Sequence, residues 1–229
     1  MTAQELIDRF RMETNDTVVP PFWSDAALLV WLAEAEEEAA VRSNLIHESE
    51  LPEVCIVPLT PGVSRYALHP KVTEITAIRH YRVPYPFDNP HTLHDGIALK
   101  TPTELDQECP GWRHDNPHAR HFHWAIHEDK ALRLVGAPRA PGTLRLECYR
   151  LPLVPLETPF DEPEIGEPHH RHLIQWVLHR AYLRPDSETY DPGRSERALA
   201  EFERHFGLRV TADMRRLSRT NAIQRNALW

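Results

Sequence analysis

"ALRLVGAPRAPGTLRLECYRL", residues 131–151, is the stretch on which the fold class turns. Leu132 and Leu134, then Leu144, Leu146 and Cys148, alternate with other residues at period two. That period puts successive side chains on opposite faces of a β-strand, so two half-buried strands are predicted here. "APRAPG" (137–142) lies between them, with Pro138, Pro141 and Gly142, and predicts a hairpin turn joining the two.

Upstream the same character continues. "EVCIVPLTPG" (53–62), "SRYAL" (64–68), "VTEITAIRHYRV" (72–83) and "GIALK" (96–100) are short, rich in β-branched residues and cut by proline. Val72, Ile75 and Ile78 have helical spacing, but Thr73, Thr76 and the following "RHYRV" favour a strand. Residues 51–160 are therefore expected to form an antiparallel β domain.

On either side the period changes to that of helices. Thr2 and Glu5 have capping-box spacing ahead of Leu6, Ile7 and Phe10. Ser24 is the expected N-cap of a second helix, with Asp25 at its positive end and Trp23 and Leu28 spaced as a hydrophobic staple. Leu28, Leu32, Ala35 and Ala39 form its apolar stripe, and Glu34, Glu36, Glu37 and Glu38 are expected to face away, wholly or in part. Late in the chain "EPHHRHLIQWVLHRAYLRP" (167–185) has Pro168 in a first turn and a wide apolar face. In "DPGRSERALAEFERHFG" (191–207), Leu199, Phe202 and Phe206 make a stripe ended by Gly207. The expected fold is α+β: a helical bundle from residues 1–50 and 165–207, the inserted β domain, and a C-terminal extension over 208–229.

Composition narrows the function. The chain has 229 residues, 41% hydrophobic and 26% charged, with a net charge of −8. That length holds a substantial core, and that charge argues against gripping nucleic acid or a membrane surface. The three cysteines, Cys55, Cys109 and Cys148, form no CxxC pair, so a reducing compartment is expected, with Cys55 and Cys148 as small core residues. "MTAQELIDRF" has no apolar h-region, so no signal peptide is expected, and no apolar run is long enough to span a bilayer.

Histidine is abundant, at 15 residues. In "HARHFHWAIHED" (118–129), Arg120, Phe122, Trp124 and Ile126 share one parity and His121, His123, Ala125 and His127 the other, with His118 just before. Phe122, Trp124 and Ile126 are expected to face the core and the histidines to form a solvated face. His121 and His123 have the spacing to chelate zinc from one strand, but a third and a fourth ligand are missing. His169 and His172 are three apart at a helix start, beside His170 and two turns ahead of His179, and are expected to face solvent. There is no HExxH, GxSxG, GxGxxG or P-loop. No metal and no cofactor are expected. The competing reading is a histidine-dependent metal-binding hydrolase, which needs three convergent ligands and an open position.

The order of phrases says more than any motif. "ELIDRFRMETND" is followed by "WSDAALLVWLAEAEEEAAVR", then "VPLTPGVSRYALHPKVTEITAIRH", then "EDKALRLVGAPRAPGTLRLECYRLP", and finally "PHHRHLIQWVLHRAYL" and "RALAEFERHFG". This order, from about residue 3 to residue 207, resembles the head-to-tail adaptor (connector) proteins of tailed bacteriophages, the short-tailed ones especially. The Trp23-Ser24-Asp25-x-x-Leu28 helix start and the phrase Pro61-Gly62-x-x-x-Tyr66-x-Leu68 carry the resemblance. His69-Pro70 stands where Leu-Pro recurs in the family.

The resemblance implies a non-enzymatic virion protein forming a dodecameric ring beneath the portal protein. Such a ring joins the portal to a tail or nozzle protein and continues the DNA channel without sequence-specific binding. It also implies that the C-terminal extension grips the portal. Arg215, Arg216, Arg219 and Arg225 supply guanidinium donors there, and Leu228 and Trp229 an apolar anchor. Glu36, Glu37 and Glu38 are the candidates for an acidic, channel-facing wall that repels DNA.

Overall fold

A computed structural model describes residues 1–83, 85–86, 94–114, 123–185 and 188–209. In chain order the elements are α1 (Ala3–Thr14), α2 (Asp25–Ser43), β1 (His47–Glu48), α3 (Pro52–Cys55), β2 (Ile56–Leu59), β3 (Arg65–Ala67), β4 (Val72–Tyr81), β5 (His94–Leu99), α4 (Pro102–Glu108), β6 (Trp124–Glu128), β7 (Ala131–Leu134), β8 (Gly142–Arg150), α5 (Glu167–His170), α6 (Leu173–Tyr182) and α7 (Pro192–Phe206). The fold is mixed α+β. Its contacts divide it into a helical unit, Met1–Ile46 with Leu151–Arg209, and a sheet unit, His47–Arg150. Among the described residues no helix is long and apolar enough to cross a membrane.

The helical unit is built on satisfied helix ends. Thr2 and Glu5 form the capping box at the start of α1. The next free donors of that first turn, the N–H groups of Ala3 and Gln4, reach Asp161 O and Pro159 O at 2.8 Å each. Asn15 ends α1 in the left-handed conformation, and Ser24 caps α2. Between the two helices Arg11 ties the turn: it bonds Asp16 at 2.7 Å, Trp23 O at 2.9 Å and Asp25 at 2.6 Å. Trp23 then lies edge-on to Phe10, with ring centroids 5.3 Å apart. Leu6, Ile7, Phe10, Leu28, Leu32, Leu173, Ile174, Phe202 and Phe206 share one buried core. Burying each of these phenylalanines contributes about 2–3 kcal/mol.

Two sequence expectations shift in this unit. The 167–185 stretch is not one helix: α5 and α6 are separate, with Arg171 and His172 in the turn between them. On α7 the buried stripe is Ser195, Ala198, Phe202 and Phe206, and Leu199 lies at its half-buried edge.

In the sheet unit the described strands pair in the order β1–β8–β4–β5–β6–β7–β3, and β2 also pairs with β8. The expected hairpin between 131–134 and 142–150 does not exist. β7 pairs with β6 and β3, whereas β8 pairs with β1, β2 and β4. Alternation identifies a strand but not its partner, and the proline-bearing 137–142 segment is a crossover held by Gly62 N–H to Pro138 O at 2.9 Å. The true hairpin is β6–β7, turning through Asp129 and Lys130, with Asp129 at positive φ.

The unit is not wholly antiparallel or wholly β either. β5 and β6 run parallel, and α3 and α4 interrupt the strands. The three-residue spacing of Val72, Ile75 and Ile78 also has a physical cause. The β4–β8 register slips between Val72 and Glu74 and again between Ile75 and Ala77. Each bulge adds a residue, so a strand buries every third side chain where two would be normal.

Candidate functional site

At the C-terminal end of α2, the residues from which the C-terminal extension departs are gathered around one arginine. The Arg42 side chain is 5% exposed. Its Nε donates to Glu38 Oε2 at 3.1 Å, and its Nη1 to Glu203 Oε1 at 3.2 Å and to Gly207 O at 3.3 Å. The guanidinium lies over the rings of Trp176 and Phe202, at 5.5 and 5.3 Å from their centroids. Ser43 Oγ donates to Phe206 O at 2.6 Å, and Arg209 Nη1 lies 3.3 Å from the other Glu38 oxygen. The last turn of α7 and the first residues of the extension are thus clamped to α2. Arg215, Arg216, Arg219, Arg225, Leu228 and Trp229 lie outside the described residues.

The three consecutive glutamates of α2 do three different things. Glu37 is exposed, and Glu38 belongs to the Arg42 clamp. Glu36, expected on the polar face, is buried at 1% exposure. At 100° per residue it falls on the flank of the stripe, where segment 151–166 covers it. Its Oε1 accepts the N–H groups of Glu164 and Ile165. Burial pushes its pKa up to about 7, against the pull of those two donors and with the help of the nearby Glu164 and Glu37 charges. Nothing in the spacing of a Glu-Glu-Glu run marks the member that is buried.

The histidines divide as well. His118 and His121 lie outside the described residues, as does Phe122; His123 is exposed. His127 is half-buried, and its neighbour Ala125, expected on the solvated face, is fully buried. β6 is covered on both sides, and α4 contributes Leu105 to the cluster that also holds Trp112 and Ile126. In the helical unit His170, expected in solvent, is 3% exposed, with Nε2 at 2.8 Å from Ile165 O.

His169 and His172 do come together, through a residue that sequence reasoning missed. His205 of α7 lies with Nε2 3.0 Å from His169 Nδ1, and its ring stacks on His172. The stack presents ring faces, not lone pairs, to one another. No group of three or more His, Cys, Asp or Glu among the described residues is arranged to hold a metal ion.

Ser195 and His179 have the reach of a nucleophile and its base, 2.8 Å between Oγ and Nδ1. The hydroxyl, however, donates to His179 O at 3.0 Å, and Ser195 is 1% exposed between α6 and α7. Nδ1 also faces Ser195 O at 3.2 Å, so its proton points at the serine, the reverse of base activation. This pair is a bond between two helices. Cys55 and Cys148 are both buried, and the Cys55 thiol is pushed up by its hydrogen bond to Cys148 and by burial, which keeps it protonated.

The phrases shared with the connector proteins have local structural duties. Tyr66 Oη donates within the 60–66 turn, lying 3.1 Å from Thr60 O and 2.8 Å from Val63 O, and it accepts Thr60 N–H at 3.2 Å. Gly62 supplies that turn's positive φ of 80°. A family model described as SU10 adaptor protein matches residues 1–225. No curated protein matches the chain.

Proposed function

Because the chain belongs to the SU10 adaptor protein family, we propose that it is a virion structural protein of a tailed bacteriophage, a ring-forming adaptor between the portal and the tail. The match over residues 1–225 carries this reading. The site adds a mechanical element. The Arg42 clamp fixes the root of the C-terminal extension to the helical unit, so tension on a docked extension would pass into α2 and α7 rather than unzip the last turn.

In this reading the extension grips the portal through Arg215, Arg216, Arg219 and Arg225, with Leu228 and Trp229 as the apolar anchor. Subunits form a closed, dodecameric ring, and DNA passes through without sequence-specific contacts. Glu37, exposed on α2, supplies negative charge to the channel wall, which repels phosphate and lets the duplex slide, whereas Glu38 is compensated by Arg42 and Arg209. A tail or nozzle protein binds the opposite side. The chain performs no catalysis and needs no cofactor.

The test is co-sedimentation with purified portal rings. Full-length protein is expected to travel with the portal in a complex whose image shows a ring of subunits. Protein lacking residues 216–229 is expected to fold but to stay behind. Undiminished binding by the truncated form would place the joint elsewhere.

A further inference from the structure

On the surface of the helical unit three histidines and two arginines meet. The ring of His172 lies flat on that of His205, with centroids 3.5 Å apart and 14° between planes. His169 Nδ1 is 3.0 Å from His205 Nε2, and Arg171 Nε donates to His172 Nε2 at 3.2 Å. Phe206 closes the cluster from beneath, 5.9 Å from the His169 ring and 4.7 Å from that of His205. His205 and Arg171 are exposed, and His169 and His172 are half-buried.

The charges that shift His172 and His205 are positive. His172 feels His205, Arg171, His169 and, from α1, Arg9; His205 feels His169 and Arg171. Arg9 has a partner of its own, Glu13 at 3.6 Å; on α7 Glu201 pairs with Arg204 at 2.8 Å; and Glu167 is exposed two residues before His169. Burial first, and these like charges next, hold His172 and His205 below the ordinary imidazole range. Stacked imidazoles beside a guanidinium accept protons readily only when negative charge is brought to them. The same guanidinium opposes a metal cation and suits an anion.

We propose that the His169–His172–His205–Arg171 cluster is a proton-dependent docking site for the carboxylate-bearing surface of a second copy of this chain. Two facts choose that occupant. Each copy has a net charge of −8, so copies repel unless a basic patch on one meets an acidic patch on the next. The helical unit also exposes Glu37, Glu157, Glu162, Glu164 and Glu167, a supply of carboxylates on the same protein. As the acidic surface arrives, the imidazoles take up protons from solvent and become donors to its oxygens, while Arg171 supplies a permanent charge.

The sign of the pH dependence follows. Burial and neighbouring positive charge hold His172 and His205 below the usual imidazole range in the free chain, and an arriving carboxylate raises them, so association takes up protons and strengthens as pH falls. Each proton taken up gives at most about a tenfold gain per pH unit.

The proposal rests on the ring reading, and the experiment separates the two. Sedimentation velocity of the full chain is run from pH 8 to pH 5.5, with His172→Gln/His205→Gln and Arg171→Glu beside the wild type and circular dichroism as the folding control. The wild type is expected to associate more strongly on acidification. The double variant is expected to lose that pH dependence, and Arg171→Glu to associate more weakly at every pH. A wild type that assembles while both variants match it at every pH overturns the proposal and leaves the ring standing. A wild type that stays monomeric at every pH, with and without portal rings, overturns the ring and the proposal with it.

Discussion

Glu36 of α2 accepts the backbone N–H of Ile165 at 3.3 Å, across 129 residues of chain, and shares the same oxygen with the N–H of Glu164. One buried carboxylate thereby fixes the segment that leads into α5.

Its titration makes the helical unit pH-sensitive. Burial raises the folded pKa of Glu36 to about 7 from an ordinary 4.5. A raised folded value means the folded state holds the proton more tightly than the unfolded chain. The contribution is complete below about pH 4.5 and is lost as pH climbs through 7, with a span of about 3 kcal/mol. Glu36→Gln keeps an oxygen for both N–H donors and does not titrate. It is expected to match the wild type near pH 5 and exceed its stability at pH 8, measured by urea unfolding at both values. An equal fall in both proteins would show that Glu36 is not the group responsible.

Glu48 behaves in the opposite sense. Its Oε2 takes Arg150 Nε at 3.1 Å and Nη2 at 3.0 Å, and its Oε1 takes the N–H groups of Ser49, Glu50 and Leu51. Burial pushes this carboxyl up, but the backbone donors and Arg150 outweigh it and hold the pKa below the usual range. Its contribution is present above the unfolded value and is lost as pH falls through the lowered one. Arg150→Met strands a buried carboxylate and is expected to cost about 3 kcal/mol near pH 7. Glu48→Gln in the same background should recover part of it, and a double-mutant cycle reads the coupling.

How much of this the sequence reveals depends on the range of the interaction. The capping box at Thr2, the Ser24 cap and the Gly207 stop are legible because each is settled within four residues. Strand identity at 72–81 and 142–150 is legible from side-chain type. The expected β7–β8 hairpin does not form because pairing is a choice among all strands, and adjacency in sequence is a weak guide when two prolines stiffen the connection. Glu36 meets Glu164, His170 meets the Met1 ammonium at 3.1 Å, and His205 arrives beside His172, each from more than 30 residues away, which no local pattern encodes.

Gly142 is expected to tolerate no side chain. A Cβ there would lie 2.8 Å from Tyr81 O, a backbone atom in the partner strand. Gly142→Ala should cost about 1–3 kcal/mol by forcing β8 away from β4. Gly96 of β5 has nothing within 4 Å of the same position, so Gly96→Ala should change stability by less than about 0.5 kcal/mol. Thermal unfolding of the pair checks the contrast.

Ser195→Ala removes the hydroxyl that joins α6 to α7. The expected cost is about 1–2 kcal/mol, the price of one buried hydrogen-bond pair. Portal co-sedimentation should be unchanged. Loss of a measurable hydrolytic activity in this variant would reinstate an enzymatic reading.

The chain enters the sheet unit on β1 and leaves it on β8, and these two strands are hydrogen-bonded neighbours, His47 opposite Tyr149 and Glu48 opposite Cys148. Way in and way out share a single doorway. Everything between residues 49 and 147 can lengthen, shorten or be exchanged without altering the gap the helices must bridge. The sheet is therefore a cassette, which recombination could exchange whole at a single pair of neighbouring joints.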